Sequence, residues 1–190
     1  MKDDKLLILD CFGLFAGDPF MAIFERHIKE NASEEKDKIC MPGDRGEYGY
    51  DEVVKRTAAL MNITPADINA EVKEIAKPRL DMIAFAKDMR SKHTVVLLSD
   101  SFEGLLDRTF EGTDFHKCFD KEFVSCAYGV TKPFEQAYLN VLNEMGRNYS
   151  SIVFLDDNPR NIAPCEKLGI KGVLFTNLED AKKKLKKLGY

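Results

Sequence analysis

The stretch LLILDCFGLF at residues 6–15 decides the fold that this chain is expected to adopt. Four consecutive apolar residues run into Asp10, and a Cys-Phe-Gly turn follows. A short, continuous apolar run bounded by a turn is typical of a parallel strand that is buried on both faces. Open parallel sheets bind their ligands beyond the carboxyl ends of the strands. The sequence therefore predicts that Asp10 lies in a ligand crevice.

The rest of the chain repeats this pattern. Three further apolar runs end in polar residues, at residues 94–99, 152–157 and 172–176. A weaker strand is expected over residues 122–125, and helices that begin with Pro and precede a Gly are expected over 133–145 and 159–168. Strands that alternate with helices are joined by right-handed crossovers. We therefore predict an α/β fold with a doubly wound, Rossmann-like parallel sheet.

Residues 15–77 depart from this alternation, because they contain helical periodicity and turn signals but no convincing strand. Three helices are expected there, over residues 19–30, 50–61 and 65–76. The MPGDRG sequence at residues 41–46 predicts a loop between the first two. We predict an α/β core formed by residues 1–14 and 78–190, with residues 15–77 inserted as a small helical cap.

The composition excludes several classes of protein. The 190 residues contain 28 Lys and Arg against 32 Asp and Glu, a net charge of −4, so no overall basic field attracts nucleic acid or an anionic membrane. Five cysteines without a CxxC pair are typical of a reduced protein. The first ten residues do not resemble a signal peptide, and no apolar run approaches the ~18 residues of a membrane span. We expect a cytoplasmic protein, monomeric or homodimeric, that acts on a small molecule.

Polar side chains with complementary chemistry lie at the ends of the strands or begin a helix. They are Asp10, Ser99, Lys132, Asp156 and Asp157. A carboxylate nucleophile divides one difficult displacement into two easier steps. A dianionic substrate beside it requires a lysine or a hard cation that neutralises charge, and Mg²⁺ prefers oxygen ligands such as Asp10 and Asp157. Simpler explanations also exist, because Ser99 would cap a helix that begins near residue 101 and the DDNP sequence at 156–159 is typical of a helix start.

Four segments together resemble the motifs of the haloacid dehalogenase (HAD) superfamily. They are LLILDCFGLF at residues 6–15, VVLLSDSF at 95–102, GVTKPFEQAY at 129–138 and IVFLDDNPRNI at 152–162. Each motif is short, but their order and spacing make the set specific, and the resemblance covers nearly the entire chain. It implies a HAD-like core with the helical cap of subfamily I, similar to the third variant of subfamily IA.

The resemblance implies a catalytic role for three residues. Asp10 would be the nucleophile, Ser99 the hydroxyl that binds phosphate, and Lys132 the group that stabilises negative charge on Asp10 and on the substrate. The predicted substrate-binding residues are Ser99, Asp100, Lys132 and, from the cap, Arg45. Tyr48 is a further candidate for substrate contact, because the cap closes over the crevice and supplies specificity.

The resemblance also implies a Mg²⁺ site. Asp157 would be the principal ligand, together with Asp10 and the backbone carbonyl of Phe12, while Asp156 would assist directly or through water. Asn161 stands where relatives often place a supporting polar side chain.

Phe12 is the main departure from the family pattern. Phosphatases of the family commonly carry an Asp two residues after the nucleophile, which protonates the leaving alcohol and then activates water, and phenylalanine does neither. General acid–base catalysis contributes about 10²- to 10⁴-fold, so its loss matters for a poor leaving group. Dehalogenases of the family carry an aromatic residue at this position, which makes dehalogenation the competing chemistry. That reaction is metal-free in the family, whereas the Asp156–Asp157 pair is what a metal-binding member retains.

Two smaller departures suggest a third hypothesis. Leu14 replaces the usual Thr or Val, and Asp100 replaces a frequent Asn and adds a negative charge near the phosphate site unless it turns outward. Phe12 and Asp100 together motivate the hypothesis of a catalytically weakened, ligand-binding or scaffold member of the family. The combined evidence favours a Mg²⁺-dependent phosphatase of a small phosphorylated metabolite, which forms an aspartyl-phosphate on Asp10. A 2-haloacid dehalogenase-like hydrolase and the weakened member are the alternatives.

Overall fold

The structure is a computed structural model that describes residues 2–146 and 148–190. Within these residues, five strands form one parallel sheet: β1 (Lys5–Leu9), β2 (Thr94–Ser99), β3 (Lys121–Val124), β4 (Ser151–Asp156) and β5 (Lys171–Leu174). The strand order is β3-β2-β1-β4-β5. The chain therefore winds outward from the central strand β1 in two directions, and the predicted doubly wound α/β sheet is confirmed.

Helices surround the sheet. In the described ranges they are α1 (Pro19–His27), α2 (Ala32–Asp44), α3 (Tyr50–Met61), α4 (Pro65–Ile75), α5 (Leu80–Lys92), α6 (Leu105–Thr109), α7 (Ser125–Tyr128), α8 (Glu135–Met145), α9 (Pro159–Glu166) and α10 (Leu178–Lys187). A short 3₁₀ turn covers Phe115–Cys118. Local sequence sets several starts, since Thr64 and Asp67 form a capping box at α4, and Asn158 and Asn177 cap α9 and α10. None of the helices in these ranges has the length and apolar character needed to cross a bilayer.

The register of the sheet brings the ends of three strands to one level. Leu9 lies opposite Leu97 of β2 on one side and opposite Leu155 of β4 on the other. The amide of Asp10 donates a 3.0 Å hydrogen bond to the carbonyl of Leu155, so pairing continues one residue past the strand. Asp10 is therefore level with Asp156, and both side chains lie at the carboxyl edge of the sheet.

Both faces of the sheet are buried, which explains the continuous apolar strands. Leu7 and Leu9 pack into the core cluster on one face, and Leu6 and Ile8 pack into the cluster on the other face. Successive side chains of a strand point to opposite faces, so the central residues of such a strand are all apolar. Each fully buried side chain of this kind contributes roughly 1.5–3 kcal/mol.

The segment between β1 and α5 is helical, as the sequence predicts. Helices α1 to α4 share their own apolar cluster, in which Phe20, Phe24 and Val53 are buried, and Phe102 from the loop after β2 joins it. The cluster therefore fixes these four helices over the carboxyl edge of the sheet. The division into a core of residues 1–14 and 78–190 and a cap of residues 15–77 stays a prediction.

The loop predicted over residues 41–46 is largely wrong. Helix α2 continues to Asp44 and includes Pro42 and Gly43. Gly43 packs closely enough against Phe102 and Val53 that a Cβ atom there would lie 3.1 Å from each of them. Tertiary burial of this face therefore overrides the two local helix breakers, and α2 ends within two residues of Pro42.

Candidate active site

Lys132 joins two of the strand ends. Its ammonium is buried and forms ion pairs with Asp10 and, at 3.0 Å, with Asp156 Oδ2. It also donates to the carbonyl of Leu98 at 3.1 Å. Carboxylates at the ends of the adjacent strands β1 and β4 are costly to bury together unless a cation compensates them. The structure thus brings together Asp10, Lys132 and Asp156, as the sequence predicts.

Asp156 is held by neighbours on both sides. Its Oδ2 accepts a 2.9 Å hydrogen bond from the Asn161 side chain, and its Oδ1 accepts one of 2.7 Å from the amide of Asn158. The Asn161 carbonyl in turn accepts a 2.9 Å hydrogen bond from the hydroxyl of Tyr138. Asn161 therefore supports the acidic pair from the first turn of α9. Asp156 is fully buried and has little freedom to move.

The charges of the cluster shift one another's pKa values. Burial by itself would lower the pKa of Lys132, but Asp10, Asp100 and Asp156 raise it above its ordinary value. The ammonium is therefore charged at neutral pH. Burial raises the pKa of Asp10 well above its usual range, while Lys132 opposes this shift. An additional cation would favour the ionised form of Asp10 that a nucleophile requires.

The donor set of the cluster fits Mg²⁺. Asp10, Asp156 and Asp157 each offer a carboxylate oxygen, and these oxygens lie within 4.8 Å of one another. Unlike Asp156, Asp157 is exposed to solvent. Partial burial and the Asp156 charge raise its pKa, which a bound cation would reverse. Three carboxylates against one ammonium leave a net negative charge that suits a hard divalent ion with oxygen ligands.

Gly13 makes room for Asp157. Its backbone φ is +86°, and a Cβ atom there would lie 2.0 Å from Asp157 Oδ2. Glycine is therefore required twice, by the left-handed turn and by the close approach of the carboxylate. Among the hydrogen bonds of the described backbone, none ends on the carbonyl of Phe12, one residue earlier. That oxygen is therefore free to act as the backbone ligand of the predicted metal site.

Ser99 lies beneath the site. It is 1% exposed, and within the described part of the chain its hydroxyl oxygen has no hydrogen-bond partner. The helix that Ser99 would cap does not begin near residue 101, since α6 starts at Leu105 with Gly104 as its N-cap. A buried hydroxyl without a partner costs about 1–3 kcal/mol. Capping therefore does not explain Ser99, which lies beside the thiol of Cys11 and is not among the described residues that line the cavity.

Asp100 does not turn away from the site. Its Oδ1 accepts a 2.9 Å hydrogen bond from the amide of Lys132, and its side chain lines the cavity. Burial raises its pKa, and Lys132 opposes that shift. The extra negative charge that the sequence suggests is thus present at the cavity wall.

A cavity of about 710 Å³ lies over the carboxyl edge of the sheet, between it and helices α1 and α2. Phe12 is half-buried in its wall and packs against the apolar clusters on both sides. Among the described residues that line it, the acids are Asp10, Asp18, Asp37, Asp44, Asp100 and Asp157, and the bases are Lys36, Lys132 and Arg160. Six acids and three bases leave the cavity with a formal charge of −3.

The structure does not bring the two predicted cap residues to the cavity. Arg45 is exposed and lies outside the lining. The hydroxyl of Tyr48 donates a 2.6 Å hydrogen bond to the carbonyl of Ile39, and its ring lies under Arg56, 4.2 Å from the guanidinium carbon. Tyr48 therefore fastens α2 to α3. The extension of α2 to Asp44 explains the difference, because the residues that face the cavity belong to this helix rather than to the predicted loop.

Sequence reasoning missed three residues of the site. Lys36 and Asp44 face the cavity from α2, in a segment where no helix was predicted. Arg79 lies further along the chain, and its guanidinium donates a 2.7 Å hydrogen bond to the carbonyl of Gly13. It thereby fixes the turn after Asp10. No local signal marks these residues, because their role depends on contacts between segments far apart in sequence.

Similarity to curated proteins is local. The flavin mononucleotide hydrolase 1 of Arabidopsis thaliana chloroplasts is 34% identical over 67 residues, which cover 35% of this chain and 27% of that protein. The drimenol cyclase of Aspergillus calidoustus is 32% identical over 84 residues, which cover 44% of this chain and 15% of the cyclase. The chain thus matches only about a quarter or less of the length of these relatives.

Solved structures match over almost the full length. A HAD-like hydrolase from Porphyromonas gingivalis has a TM-score of 0.77 at 20% identity and covers 97% of both chains. A HAD family enzyme from Bacteroides thetaiotaomicron, in complex with magnesium and inorganic phosphate, has a TM-score of 0.75 at 17% identity over 90% of this chain and 94% of that one. The L-2-haloacid dehalogenase of Xanthobacter autotrophicus has a TM-score of 0.63 at 14% identity over 94% and 79%. At these identities, the matches show the fold.

The family itself is shown by a family model. The model of the haloacid dehalogenase-like hydrolases matches residues 21–169, which is more than half of the chain. The fold shared with the solved structures agrees with this match, and so do the four motifs at the ends of the strands. The chain belongs to the haloacid dehalogenase-like hydrolases.

Proposed function

We propose that this hydrolase is a Mg²⁺-dependent phosphatase of a small phosphorylated metabolite. The observation that carries the proposal is the group of three carboxylates, Asp10, Asp156 and Asp157, whose oxygens lie within 4.8 Å of one another beside the Lys132 ammonium. The cavity above them already has a formal charge of −3, which repels a phosphate dianion unless a cation compensates it.

Asp10 is the nucleophile in this proposal. One of its oxygens attacks the phosphorus, the bond to the leaving oxygen breaks, and an aspartyl-phosphate forms. Lys132 keeps the carboxylate in place and stabilises the negative charge that develops on the phosphoryl oxygens. In this proposal the hydroxyl of Ser99, which has no partner in the described ranges, donates to the same group. Mg²⁺ held by Asp10, Asp157 and the Phe12 carbonyl, with support from Asp156, would neutralise charge and orient the phosphoryl group.

The size of the cavity and the comparisons support a small phosphate ester as substrate. A volume of about 710 Å³ falls within the usual range of small-molecule sites, roughly 300–1,000 Å³. Flavin mononucleotide, named in the Arabidopsis relative, is itself a phosphate monoester. Magnesium and phosphate are bound by the Bacteroides enzyme of the same fold.

Phosphate release from p-nitrophenyl phosphate tests this proposal. The purified protein is assayed with Mg²⁺ and with a chelator, and Asp10→Asn serves as the matched variant because it keeps the size of the side chain. We expect turnover that requires Mg²⁺ and falls at least about 10³-fold in Asp10→Asn, whose circular dichroism stays unchanged. Full activity in Asp10→Asn, or no turnover in the native protein, contradicts the proposal.

A 2-haloacid dehalogenase is the second candidate, and Phe12 favours it. Its half-buried ring occupies the cavity wall where a phosphatase places its acid, and displacement of a halide needs no proton donor. In that case Asp10 attacks carbon and chloride leaves. Chloride release from 2-chloropropionate that persists with a chelator identifies this chemistry. Binding of inorganic phosphate and Mg²⁺ without turnover of either substrate identifies the weakened member instead.

A further inference from the structure

Position 12 leaves the proposed phosphatase without a proton donor. An alkoxide is a poor leaving group, and an enzyme that cleaves alkyl phosphates needs an acid within reach of the leaving oxygen. Phe12 supplies none. Such an acid must line the cavity, lie near the phosphate site and hold a proton near neutral pH.

Most carboxylates of the cavity are already used. Asp10 pairs with Lys132, and Asp157 lies beside it at the predicted metal site. Asp18 caps α1 through a 3.0 Å hydrogen bond from the amide of Met21 and lies 3.7 Å from Lys36. Asp100 accepts from the amide of Lys132. Each of these four groups therefore already has a partner or a predicted role in the site.

Asp44 differs from these acids in its position on the fold. It is the last residue of α2, where the helix dipole disfavours a negative charge. It is half-buried in the cavity wall. Burial, followed by the charge of Asp100, raises its pKa to about 7, while Lys36 acts in the opposite direction. Its other charged or titratable neighbours include Asp18, Asp37 and the thiols of Cys40 and Cys126.

The neighbours of Asp44 also place it close to the reaction. Asp44 lies near Asp100, whose carboxylate binds the amide of Lys132, whose ammonium in turn binds the nucleophile Asp10. Asp44 thus lines the cavity from helix α2, whereas Asp10 lines the same cavity from the edge of the sheet. A leaving group that departs away from Asp10 points toward the helices above the sheet.

We propose that Asp44 is the general acid–base residue that replaces the missing acid at position 12. This inference rests on the phosphatase function proposed above. In the first step, Asp10 forms a bond to phosphorus, the ester P–O bond breaks, and the Asp44 carboxyl gives its proton to the leaving oxygen. In the second step, the Asp44 carboxylate takes a proton from water, the water oxygen bonds to phosphorus, and the bond to Asp10 breaks. The products are an alcohol and inorganic phosphate, and both aspartates return to their starting forms.

The dependence of the rate on the leaving group tests this role. kcat/KM is measured for dinitrophenyl, p-nitrophenyl, phenyl and alkyl phosphates with the native protein, Asp44→Asn and Asp44→Glu. We expect Asp44→Asn to lose about 10²- to 10⁴-fold on phenyl and alkyl phosphates and almost nothing on dinitrophenyl phosphate, whose leaving group needs no proton. Asp44→Glu, which keeps the acid, is expected to recover part of the loss.

Glu34→Gln is the control, because Glu34 lies on the same helix but is exposed and is not among the described residues that line the cavity. It is expected to keep the leaving-group dependence of the native protein. The native activity on phenyl phosphate should also decline as the pH rises above about 7, and this decline should vanish in Asp44→Asn.

Three results would overturn the assignment. An equal loss on all esters in Asp44→Asn would show a structural effect, and no loss on any ester would show that the proton comes from elsewhere. If the native protein turns over no ester, including dinitrophenyl phosphate, then the phosphatase proposal fails and this inference fails with it. The two proposals can also be separated. If dinitrophenyl phosphate is turned over and needs Asp10, but Asp44→Asn slows no ester, the role of Asp44 fails and the phosphatase proposal stands.

Discussion

The backbone amide of Lys132 donates a 2.9 Å hydrogen bond to Asp100 Oδ1. The residue after Ser99 thus fixes the segment that carries the buried lysine, although the two positions are 32 residues apart. The same carboxylate lines the cavity and adds to its negative charge. Asp100 therefore combines a structural hydrogen bond with an electrostatic cost for an anionic ligand.

Asp100→Asn separates these two effects. The amide keeps an oxygen that accepts from Lys132, but the negative charge disappears. We expect inorganic phosphate to bind about three- to tenfold more tightly in the presence of Mg²⁺, which corresponds to the loss of about 1 kcal/mol of repulsion near a protein surface. Isothermal titration calorimetry measures the change. Asp100→Ala also loses the acceptor, so its free energy of unfolding should be about 1 kcal/mol lower than that of the native protein. Equal phosphate affinity in the native protein and in Asp100→Asn would contradict the electrostatic argument.

Lys132→Met should destabilise the protein strongly at neutral pH. The substitution leaves Asp10 and Asp156 buried beside each other without a cation. Breaking a buried pair in this way costs about 3–5 kcal/mol. Burial raises the pKa of Asp10 even with the lysine present, so protonation relieves the loss as the pH falls. Urea unfolding at pH 7 and pH 5 should show a smaller difference from the native protein at pH 5, and an equal difference at both values would argue against an electrostatic origin.

Gly13→Ala should impair the predicted metal site. The new Cβ atom would lie 2.0 Å from Asp157 Oδ2, so the carboxylate has to move. We expect Mg²⁺ to bind about 10- to 100-fold more weakly, as when a metal ligand loses its orientation. Gly112→Ala is the control, because Gly112 also has a positive φ, of +73°, but nothing lies within 4 Å of the added Cβ. Both variants carry backbone strain of about 1–3 kcal/mol. Thermal unfolding at increasing Mg²⁺ concentrations separates this strain from the change in Mg²⁺ affinity. Equal Mg²⁺ affinity in the two variants would contradict the predicted site.

Asp44 should make the stability of the protein depend on pH. Its pKa is about 7 in the folded protein and 3.8 in the unfolded chain, so the neutral carboxyl favours folding at low pH and this contribution is lost as the pH rises through 7. Asp44→Asn has no ionisable carboxyl at this position, so its free energy of unfolding does not fall in this way. We expect the variant to be more stable than the native protein at pH 8 by about 2 kcal/mol, which allows for partial exposure, and equally stable at pH 4. Urea unfolding at both values measures the difference, and a variant less stable at pH 8 would show that the ionised carboxylate has a partner.

The motif residues could be placed from the sequence because they follow strands. Parallel strands end at one edge, so Asp10 and Asp156 had to meet once the apolar runs were paired. The same reasoning could not place the residues of α2. Pro42 and Gly43 predict a loop, and only the packing of Gly43 against Phe102 and Val53 keeps the helix intact up to Asp44. Arg45 and Tyr48 lie outside the cavity, because the residues of this segment that face it belong to α2.

By itself, the sequence determined the α/β sheet, the family and the carboxylates and lysine at the strand ends, since local hydrophobic patterns and motif spacing encode all of these. The tertiary structure alone decided which residues form the cavity wall opposite the sheet, on helix α2. Lys36 and Asp44 reach the cavity because helix α2 packs over the edge of the sheet, and the raised pKa of Asp44 arises from burial and from Asp100, a residue 56 positions away (100 − 44). Burial and charge at a distance depend on the complete fold, and no local pattern specifies them.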